Sequence, residues 1–337
     1  MRLTGKQTWL FQNDVYVNAT GTAVGPDEAK GPLGDSFDIT YDDLHCGEES
    51  WELAERRLMR ESIQQALRKE KVQASDIDFF LAGDLLNQTV TANYVARELS
   101  IPFLGMFGAC STSMETLAVG AAFIDGGFAN RVLATVSSHN ATAERQFRYP
   151  TEYGGQKPST ATFTVTGAGT ALISRERSSI KVTSATIGKV QDLGITDPFD
   201  MGSAMAPAAA HTIGQHFEDL NRSAVDYDLI VTGDLSGVGT PIARQLLLDE
   251  GYDLGNVYND CGLMIYRDDQ QVFAGGSGCA CSAVVTYGHL MKEMEKGNLG
   301  RIFVVATGAL LSPIMIQQKE SIPTIAHGIV FERIKGV

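Results

Sequence analysis

The stretch Gly108-Ala109-Cys110-Ser111-Thr112-Ser113-Met114-Glu115 places a cysteine at a turn in front of a long run of small and apolar residues. Residues 117–124 are apolar or small on every side, which is typical of a helix buried all round. Gly126 and Gly127 can end this helix with a left-handed cap. Unpaired amides and the helix dipole favour a lowered pKa for the Cys110 thiol and a bound anion. Cys110 is therefore a candidate nucleophile or ligand contact, with a chemically inert buried cysteine as the equal alternative.

The composition indicates a globular protein large enough for two domains or for two halves of one domain. The chain has 337 residues, 44% of them hydrophobic and 20% charged, and a formal net charge of −13. This acidic balance argues against a nucleic-acid surface. No apolar run approaches the ~18 residues of a membrane span, and the first residues lack the apolar stretch of a signal peptide. We expect a chain made and kept in a cytosol-like compartment.

The five cysteines form an odd and scattered set, so reduced thiols are expected. The pair Cys279-Ala280-Cys281 lacks the spacing and the nearby histidine of a zinc site. We predict no metal site and no resident cofactor. The cysteines are Cys46, Cys110, Cys261, Cys279 and Cys281.

Alternating strand and helix patterns surround the opening stretch. Residues 15–17 are predicted to form a strand, a glycine-rich loop follows at 21–34, and residues 48–71 show the single apolar face of a helix. Continuous apolar runs at 76–85 and 131–136 fit strands buried on both faces. The order predicts an α/β fold with a parallel or mixed sheet and crossover helices.

The second half of the chain repeats segments of the first half in the same order. Such a repeat is most simply explained by a duplicated unit whose equivalent strand ends face a shared central site. We predict one half over residues 1–176 and a second over 177–337, joined near residues 175–179. The matching pairs are 76–85 with 226–235, 109–111 with 280–282, and 131–136 with 301–307.

A polar and aromatic insertion at residues 137–160 interrupts the first half. A segment of this length at a strand end is usually functional, because sites form at this side of open α/β sheets. It is predicted to be a lid or site wall, or else a dimer contact.

The duplicated unit, the cysteine at a helix start and the strand motif Thr164-Val165-Thr166-Gly167-Ala168-Gly169-Thr170-Ala171-Leu172-Ile173 resemble the thiolase superfamily, and ketoacyl-acyl-carrier-protein synthase III in particular. The resemblance implies a thiolase-like fold of two pseudo-symmetric halves in five α-β-α-β-α layers, and a homodimer. It also implies that Cys110 occupies the position of the acyl-accepting cysteine. Longer strings resemble, more narrowly, a family of sporulation proteins from spore-forming bacteria. Those strings cover residues 92–97, 107–115, 144–156 and 196–202.

Two departures from the condensing enzymes bear on chemistry. Such enzymes place a histidine at the second Gly-Asp segment, where this chain has Asp234, and a histidine or asparagine in the late loop, where it has residues 275–279 around Ser277. A carboxylate cannot donate to an oxyanion and would raise the pKa of a nearby thiol. Decarboxylating condensation is therefore not expected. His139 and His327 lie elsewhere in the sequence, and a hydrogen-bonded structural role is favoured for each.

The resemblance to the sporulation family implies a non-catalytic protein that binds pyridine-2,6-dicarboxylic acid (dipicolinate), alone or as its calcium chelate, for uptake into developing spores. Other proteins of the dipicolinate channel at the spore inner membrane are the implied partners, with the chain at the membrane periphery. The alternative is an acyltransferase that uses Cys110 with Asp84 as general base.

We predict a ligand site near Cys110 in which a guanidinium grips one carboxylate of the ligand and helix amides bind the other. Acidic side chains there would suit calcium carried with the ligand, because calcium takes oxygen ligands. A homodimer interface is expected along the strand at 131–136 and part of the insertion, since an open apolar strand edge invites pairing. The predicted ligand contacts are Asp84, Cys110, Ser111, His139, Arg145, Arg148, Asp234 and Ser277.

Overall fold

A computed structural model describes residues 2–147 and 157–334. The elements up to residue 174 are β1 Leu3–Thr4, β2 Thr8–Leu10, β3 Tyr16–Val24, α1 Pro26–Ala29, β4 Ile39–Thr40, α2 Trp51–Glu70, β5 Phe79–Gly83, α3 Val90–Leu99, β6 Phe103–Gly105, α4 Thr112–Gly126, β7 Arg131–Ser138, α5 Asn140–Phe147, β8 Phe163–Thr164 and β9 Gly167–Ser174. The later elements are β10 Ile180–Thr186, α6 Met201–Leu220, β11 Leu229–Thr232, α7 Ser236–Asp249, β12 Tyr258–Asp260, α8 Cys261–Met264, β13 Gly276–Ser277, α9 Cys279–Val284, a π-helical turn Val285–Leu290, α10 Met291–Lys296, β14 Arg301–Ala309, α11 Pro313–Gln317 and β15 Thr324–Arg333.

The two halves of the chain have the same strand order. The first half runs β6-β5-β7-β9-β3 and the second runs β12-β11-β14-β15-β10. In each half, counted from the outer edge, the first three strands pair in parallel, and the fourth and fifth strands add antiparallel pairs. This equivalence is what a duplicated unit requires, and β3 pairs with β10 where the halves meet. The exact division at residues 176 and 177 stays a prediction.

The repeated aspartates have a structural explanation. Asp78 accepts hydrogen bonds from the amides of residues 130 and 131, which start β7. Asp228 accepts the equivalent bonds from residues 300 and 301, which start β14. Each carboxylate therefore holds the beginning of a neighbouring strand, and the matched letters reflect matched backbone contacts.

The helices form three layers around the two halves of the sheet. Helix α4 contacts both halves and, with α9, lies between them. Helices α2 and α3 cover the outer face of the first half, and α6 and α7 cover that of the second. This is the predicted five-layer α-β-α-β-α arrangement. Within the described residues, no helix is both long enough and apolar enough to cross a lipid bilayer.

The helix predicted from the opening stretch is confirmed. It spans Thr112–Gly126 and is apolar on most sides, with Met114, Leu117 and Ile124 fully buried. Gly127 ends it with a φ of 81°, and its amide bonds the carbonyls of the last turn. This left-handed conformation favours glycine, because a Cβ there is strained.

The expectation of an open edge at residues 131–136 is wrong. Strand β7 pairs with β5 on one side and with β9 on the other, so its backbone groups are already bonded. Among the described strands, β6 lies at the outer edge of the first half of the sheet and β12 at the outer edge of the second half. The predicted insertion begins with the end of β7 and helix α5, and residues 148–156 lie outside the described part of the chain.

Candidate functional site

The turn before α4 fixes the direction of the Cys110 thiol. Thr112 accepts a hydrogen bond from the amide of Gly108 at 2.8 Å and donates one to the carbonyl of Ala109 at 2.6 Å. Ala109 has a φ of 51°, which costs an L-residue free energy and turns the chain sharply. Cys110 is therefore held at the floor of a cavity, where only 9% of it is exposed.

Asp234 is the polar group that faces the thiol. This carboxyl group follows β11, is almost completely buried and accepts hydrogen bonds from the amide of Gly278 at 3.0 Å and the hydroxyl of Thr307 at 2.6 Å. Its charge acts on the nearby Cys110 thiol. Burial raises the pKa of Asp234 to about 7. Thiol and carboxyl group thus form a buried, electrostatically linked pair near the start of α4.

The same surroundings keep the thiol protonated. Burial, followed by the nearby charge of Asp234, raises the pKa of Cys110 well above its ordinary value. The lowering that the helix dipole would cause is typically small, ~0.3–1 kcal/mol, and burial outweighs it here. Cys110 is therefore a poor nucleophile in this conformation.

Two neighbouring cavities, an inner and an outer chamber, share part of their lining, and the inner one is lined by Cys110. The inner chamber is narrow, with a volume of about 40 Å³, and its lining is mostly apolar, with Cys110 and Ser277 among the polar contributions. The outer chamber measures about 480 Å³ and is lined partly by Asn87, Gln88 and other polar groups. The side chains that border both are Phe107, Phe147 and Leu311.

Asp84 caps a helix rather than lining the inner chamber. Its carboxylate accepts hydrogen bonds from the amides of Leu86 at 2.9 Å and Ala92 at 2.8 Å, which fixes the loop leading into α3. Burial raises the pKa of Asp84 to about 6. Ser111 also bonds to the backbone, since its hydroxyl donates a hydrogen bond to the carbonyl of Gly108 at 2.6 Å.

The two histidines considered from the sequence are engaged with the backbone. His139 lies 2.7 Å from the carbonyl of Leu44 through Nε2 and accepts from the amide of Ala141 through Nδ1, and burial lowers its pKa. His327 accepts from the amide of Gly188, and burial lowers its pKa to about 4. Among the described residues that line the inner chamber there is no histidine.

We expect either Arg145 or Arg148 to reach into the site, and this stays a prediction; in this structure Arg145 lies elsewhere. Its guanidinium pairs with Glu52 at 2.6 Å and lies over the ring of Trp51 at 4.8 Å, so it packs against α2. Arg148, the other predicted arginine, lies outside the described residues. The structure thus brings together Cys110, Asp234 and Ser277, holds Ser111 in the adjoining turn, and places Asp84, His139 and Arg145 in other contacts.

Sequence reasoning missed two parts of this region. Pro198 and Met201 line the inner chamber, and a signal existed, because they belong to the distinctive string at 196–202. Glu55, which donors of β7 and α5 contact, is almost completely buried. Its spacing from Met59 and Ser62 places it on the buried face of α2, which makes it a polar residue at an apolar position.

The described residues contain no group of three or more histidine, cysteine, aspartate or glutamate side chains placed to hold a metal ion. The oxygens of Asp84 and Asp234 accept hydrogen bonds from amide and hydroxyl donors.

Comparison with solved structures defines the class of the fold. The chain superposes on 3-oxoacyl-(acyl-carrier-protein) synthase III from Aquifex aeolicus with a TM-score of 0.58 and 12% identity, covering 94% of this chain and 99% of that one. Superposition on an OleA variant from Xanthomonas campestris gives a TM-score of 0.60 and 14% identity, covering 96% of this chain and 99% of that one. Superposition on human mitochondrial 3-ketoacyl-CoA thiolase gives a TM-score of 0.57 and 12% identity, covering 96% of this chain and 100% of that one. The protein therefore has the fold of the thiolase and ketoacyl synthase III class.

Sequence comparison is more specific. The profile of the family described as stage V sporulation protein AD matches residues 5–332. Stage V sporulation protein AD of Bacillus subtilis (strain 168) is 69% identical over 336 residues, covering 100% of this chain and 99% of that protein. The chain belongs to the stage V sporulation protein AD family.

Proposed function

We propose that this protein binds dipicolinate and has no catalytic activity. The ligand would be taken up into the developing spore, either alone or as its calcium chelate. One observation carries the non-catalytic part: Cys110 faces a buried carboxyl group, Asp234, at the floor of a cavity. Membership of a sporulation family supports the ligand. The scaffold then keeps a small-molecule cavity while its thiol is held protonated.

Acyl condensation needs groups that donate hydrogen bonds to an oxyanion as negative charge develops. Near Cys110, an ionised Asp234 would instead repel that charge, and His139 and His327 are bonded to the backbone. The geometry therefore supports ligand binding better than condensation.

The chambers favour a ligand without net charge. Among the described residues that line them there is no lysine or arginine. A bare dicarboxylate would lose its hydration with no cation to replace it. The chelate of a dianion with Ca²⁺ is neutral, and calcium takes about 6 to 8 oxygens, so part of its shell stays open to water or protein. We therefore place the calcium chelate ahead of the free dianion as ligand.

The outer chamber is the compartment with room for such a ligand. Its volume of about 480 Å³ falls in the range of ~300–1,000 Å³ that is usual for small-molecule sites. The inner chamber of about 40 Å³ holds only groups of the size of water molecules. The exposed amides of Asn87 and Gln88 can donate to carboxylate oxygens there.

We further propose that the protein acts at the periphery of the spore inner membrane as a homodimer that docks on other proteins of the dipicolinate channel. This part rests on the family resemblance and on the strand edges left open by the fold.

Acyl transfer is the second candidate, because the thiol does line a cavity in a fold shared with acyl-transferring enzymes. Its proposed base, Asp84, is bonded to the backbone amides of Leu86 and Ala92. Incubation with acyl-CoA thioesters and intact-mass measurement tests this candidate, and a stable adduct on Cys110 would favour it over binding.

Titration calorimetry with dipicolinate, with and without calcium, tests the binding function. Pyridine-2-carboxylate, which lacks one carboxylate, is the matched ligand control. We expect binding of dipicolinate, tighter with calcium, and a loss of about fivefold in affinity for Asn87→Ala or Gln88→Ala when one hydrogen bond is removed. Gln245→Ala, an exposed amide on α7, is the matched protein control. Absence of heat with both forms of the ligand would reject the proposal.

A further inference from the structure

The loop between β5 and α3 has a strained backbone where it lines the outer chamber. Gln88 has a φ of 63° and Thr89 a φ of 50°, and both residues belong to the lining. Two consecutive left-handed residues are uncommon, and for a β-branched residue such as threonine this conformation is an outlier, because its Cβ is crowded. Strain of this kind persists only where the surroundings hold it, and it is concentrated at ligand sites.

Neighbouring residues hold the loop on the side of α3. The carboxylate of Asp84 bonds amides at both ends of the loop, at 2.9 and 2.8 Å. The side-chain amide of Asn93, in the first turn of α3, donates a hydrogen bond to the carbonyl of Gln88 at 2.7 Å. These contacts fix the loop to its own helix but do not fix it to the rest of the chamber wall.

Gln146, on α5, holds the loop on the opposite side. Its Oε1 accepts a hydrogen bond from the amide of Asn87, and its Nε2 donates one to the carbonyl of Leu85, each at 2.8 Å. Among the described residues, it is the only side chain from outside residues 84–93 that hydrogen-bonds to residues 85–89. A side-chain amide suits both bonds because it offers an acceptor and a donor without a charge.

We propose that Gln146 is a positioning residue of the candidate ligand site. Its two hydrogen bonds hold residues 85–89 in the strained form that presents the exposed side chains of Asn87 and Gln88 to the outer chamber. The effect on dipicolinate rests on the proposed function, whereas the holding of the loop does not. A loop that is already held in its binding form loses little conformational freedom when a ligand binds, which favours affinity and discrimination between ligands.

Hydrogen exchange of the ligand-free protein, resolved by overlapping peptides across residues 84–93, tests the positioning. Asn87 is exposed, so the protection of its amide depends on the bond to Gln146. In Gln146→Met, which is similar in size but cannot make the two bonds, we expect this amide to exchange at least about tenfold faster. Gln146→Glu keeps the acceptor oxygen and should restore most of the protection.

Gln245→Met is the matched control for the exchange experiment. Gln245 lies on α7, bonds to Asp249 and lines neither chamber, so its replacement should leave exchange at Asn87 unchanged. If Gln146→Met does not fold, Gln146→Asn, which is one methylene too short to span both bonds, replaces it in all measurements.

Titration calorimetry tests the link to the ligand. Dipicolinate with calcium should bind Gln146→Met about fivefold or more weakly than the wild type, and its advantage over pyridine-2-carboxylate should shrink. A side chain that contributed only to stability would leave the ratio of these two affinities unchanged in the folded variant.

Unchanged exchange at Asn87 in the folded variant would overturn the inference. Lower affinity with unchanged exchange would mean that Gln146 contacts the ligand directly, which also overturns the positioning role. Faster exchange with unchanged affinity and an unchanged ratio would overturn the role in binding. If the wild type binds neither form of dipicolinate while the exchange results are as expected, the proposed function fails and the holding of the loop by Gln146 stands.

Discussion

Cys110 shows how one neighbour decides the chemistry of a residue. The thiol lies two residues before a long helix, a position that commonly activates cysteine, yet it is buried near the carboxyl group of Asp234. The carboxyl group is itself held by Gly278 and Thr307, so it cannot turn away without losing two hydrogen bonds. The thiol is thereby kept neutral by contacts from the other half of the chain.

Replacing Asp234 should make the Cys110 thiol more reactive. At neutral pH we expect slow alkylation of Cys110 by iodoacetamide in the wild type, and alkylation at least about tenfold faster in Asp234→Asn, because removing a buried negative charge lowers the thiol pKa by one unit or more. Peptide mass spectrometry with time gives the rate at Cys110, and Cys110→Ser provides the background. Rapid alkylation confined to Cys110 in the wild type would contradict the expectation and revive acyl transfer.

Helix α4 ends at one residue, Gly127, that adopts the left-handed backbone conformation. Gly127 has a positive φ, whereas Gly126 lies inside the helix. Gly127→Ala should therefore lower the free energy of unfolding by about 1 kcal/mol. Gly126→Ala is the matched control and should cost less, because the Cβ meets only the exposed ring of Phe128. Urea unfolding of both variants decides, and an equal loss in the two would argue against the cap.

The open edge at β6 is the element that should form the homodimer. Strand β6 pairs only with β5 among the described strands, and Leu104 on it is 44% exposed. An unpaired strand with an apolar side chain is a natural surface for pairing across a twofold axis.

Light scattering should therefore give a dimer mass at micromolar concentration. Leu104→Asp should weaken dimerisation by about tenfold or more, since it places a charge in an apolar contact. Val225→Asp, at a position that is 90% exposed and outside any strand edge, is the matched control. A monomeric wild type would contradict the prediction.

At the scale of the whole molecule, buried acids should make stability depend on pH. Burial raises the pKa of Glu28 to about 7, of Glu55 to about 8 and of Asp234 to about 7. In the unfolded chain such groups ionise near ~4. The folded state therefore holds more protons than the unfolded state between these values, and stability from these groups falls as pH rises.

Urea unfolding at about pH 6 and about pH 8.5 should show the lower free energy of unfolding at the higher pH. Glu55→Gln should reduce this difference, because one of the three groups no longer titrates. A free energy that is constant or rises over this interval would contradict the assignment of the buried protons.

The sequence by itself determined the duplicated α/β unit, the buried helix after Cys110 and its glycine cap. The spacing of apolar residues and the repeated segments around Asp78 and Asp228 predict these features. Such patterns involve residues that are close together in the sequence, so they can be recognised without a structure. Their packing into five layers followed from the resemblance that the same letters carry.

Only the tertiary structure decided which groups meet at the candidate site. Asp234 faces Cys110 because residues 124 positions apart converge at the centre of the fold. Arg145 turns to Glu52, Glu55 lies near Asp84, and β7 is interior rather than at an edge. Each outcome depends on contacts between distant segments, where burial sets the charge a side chain can carry, and no local pattern in the sequence records such contacts.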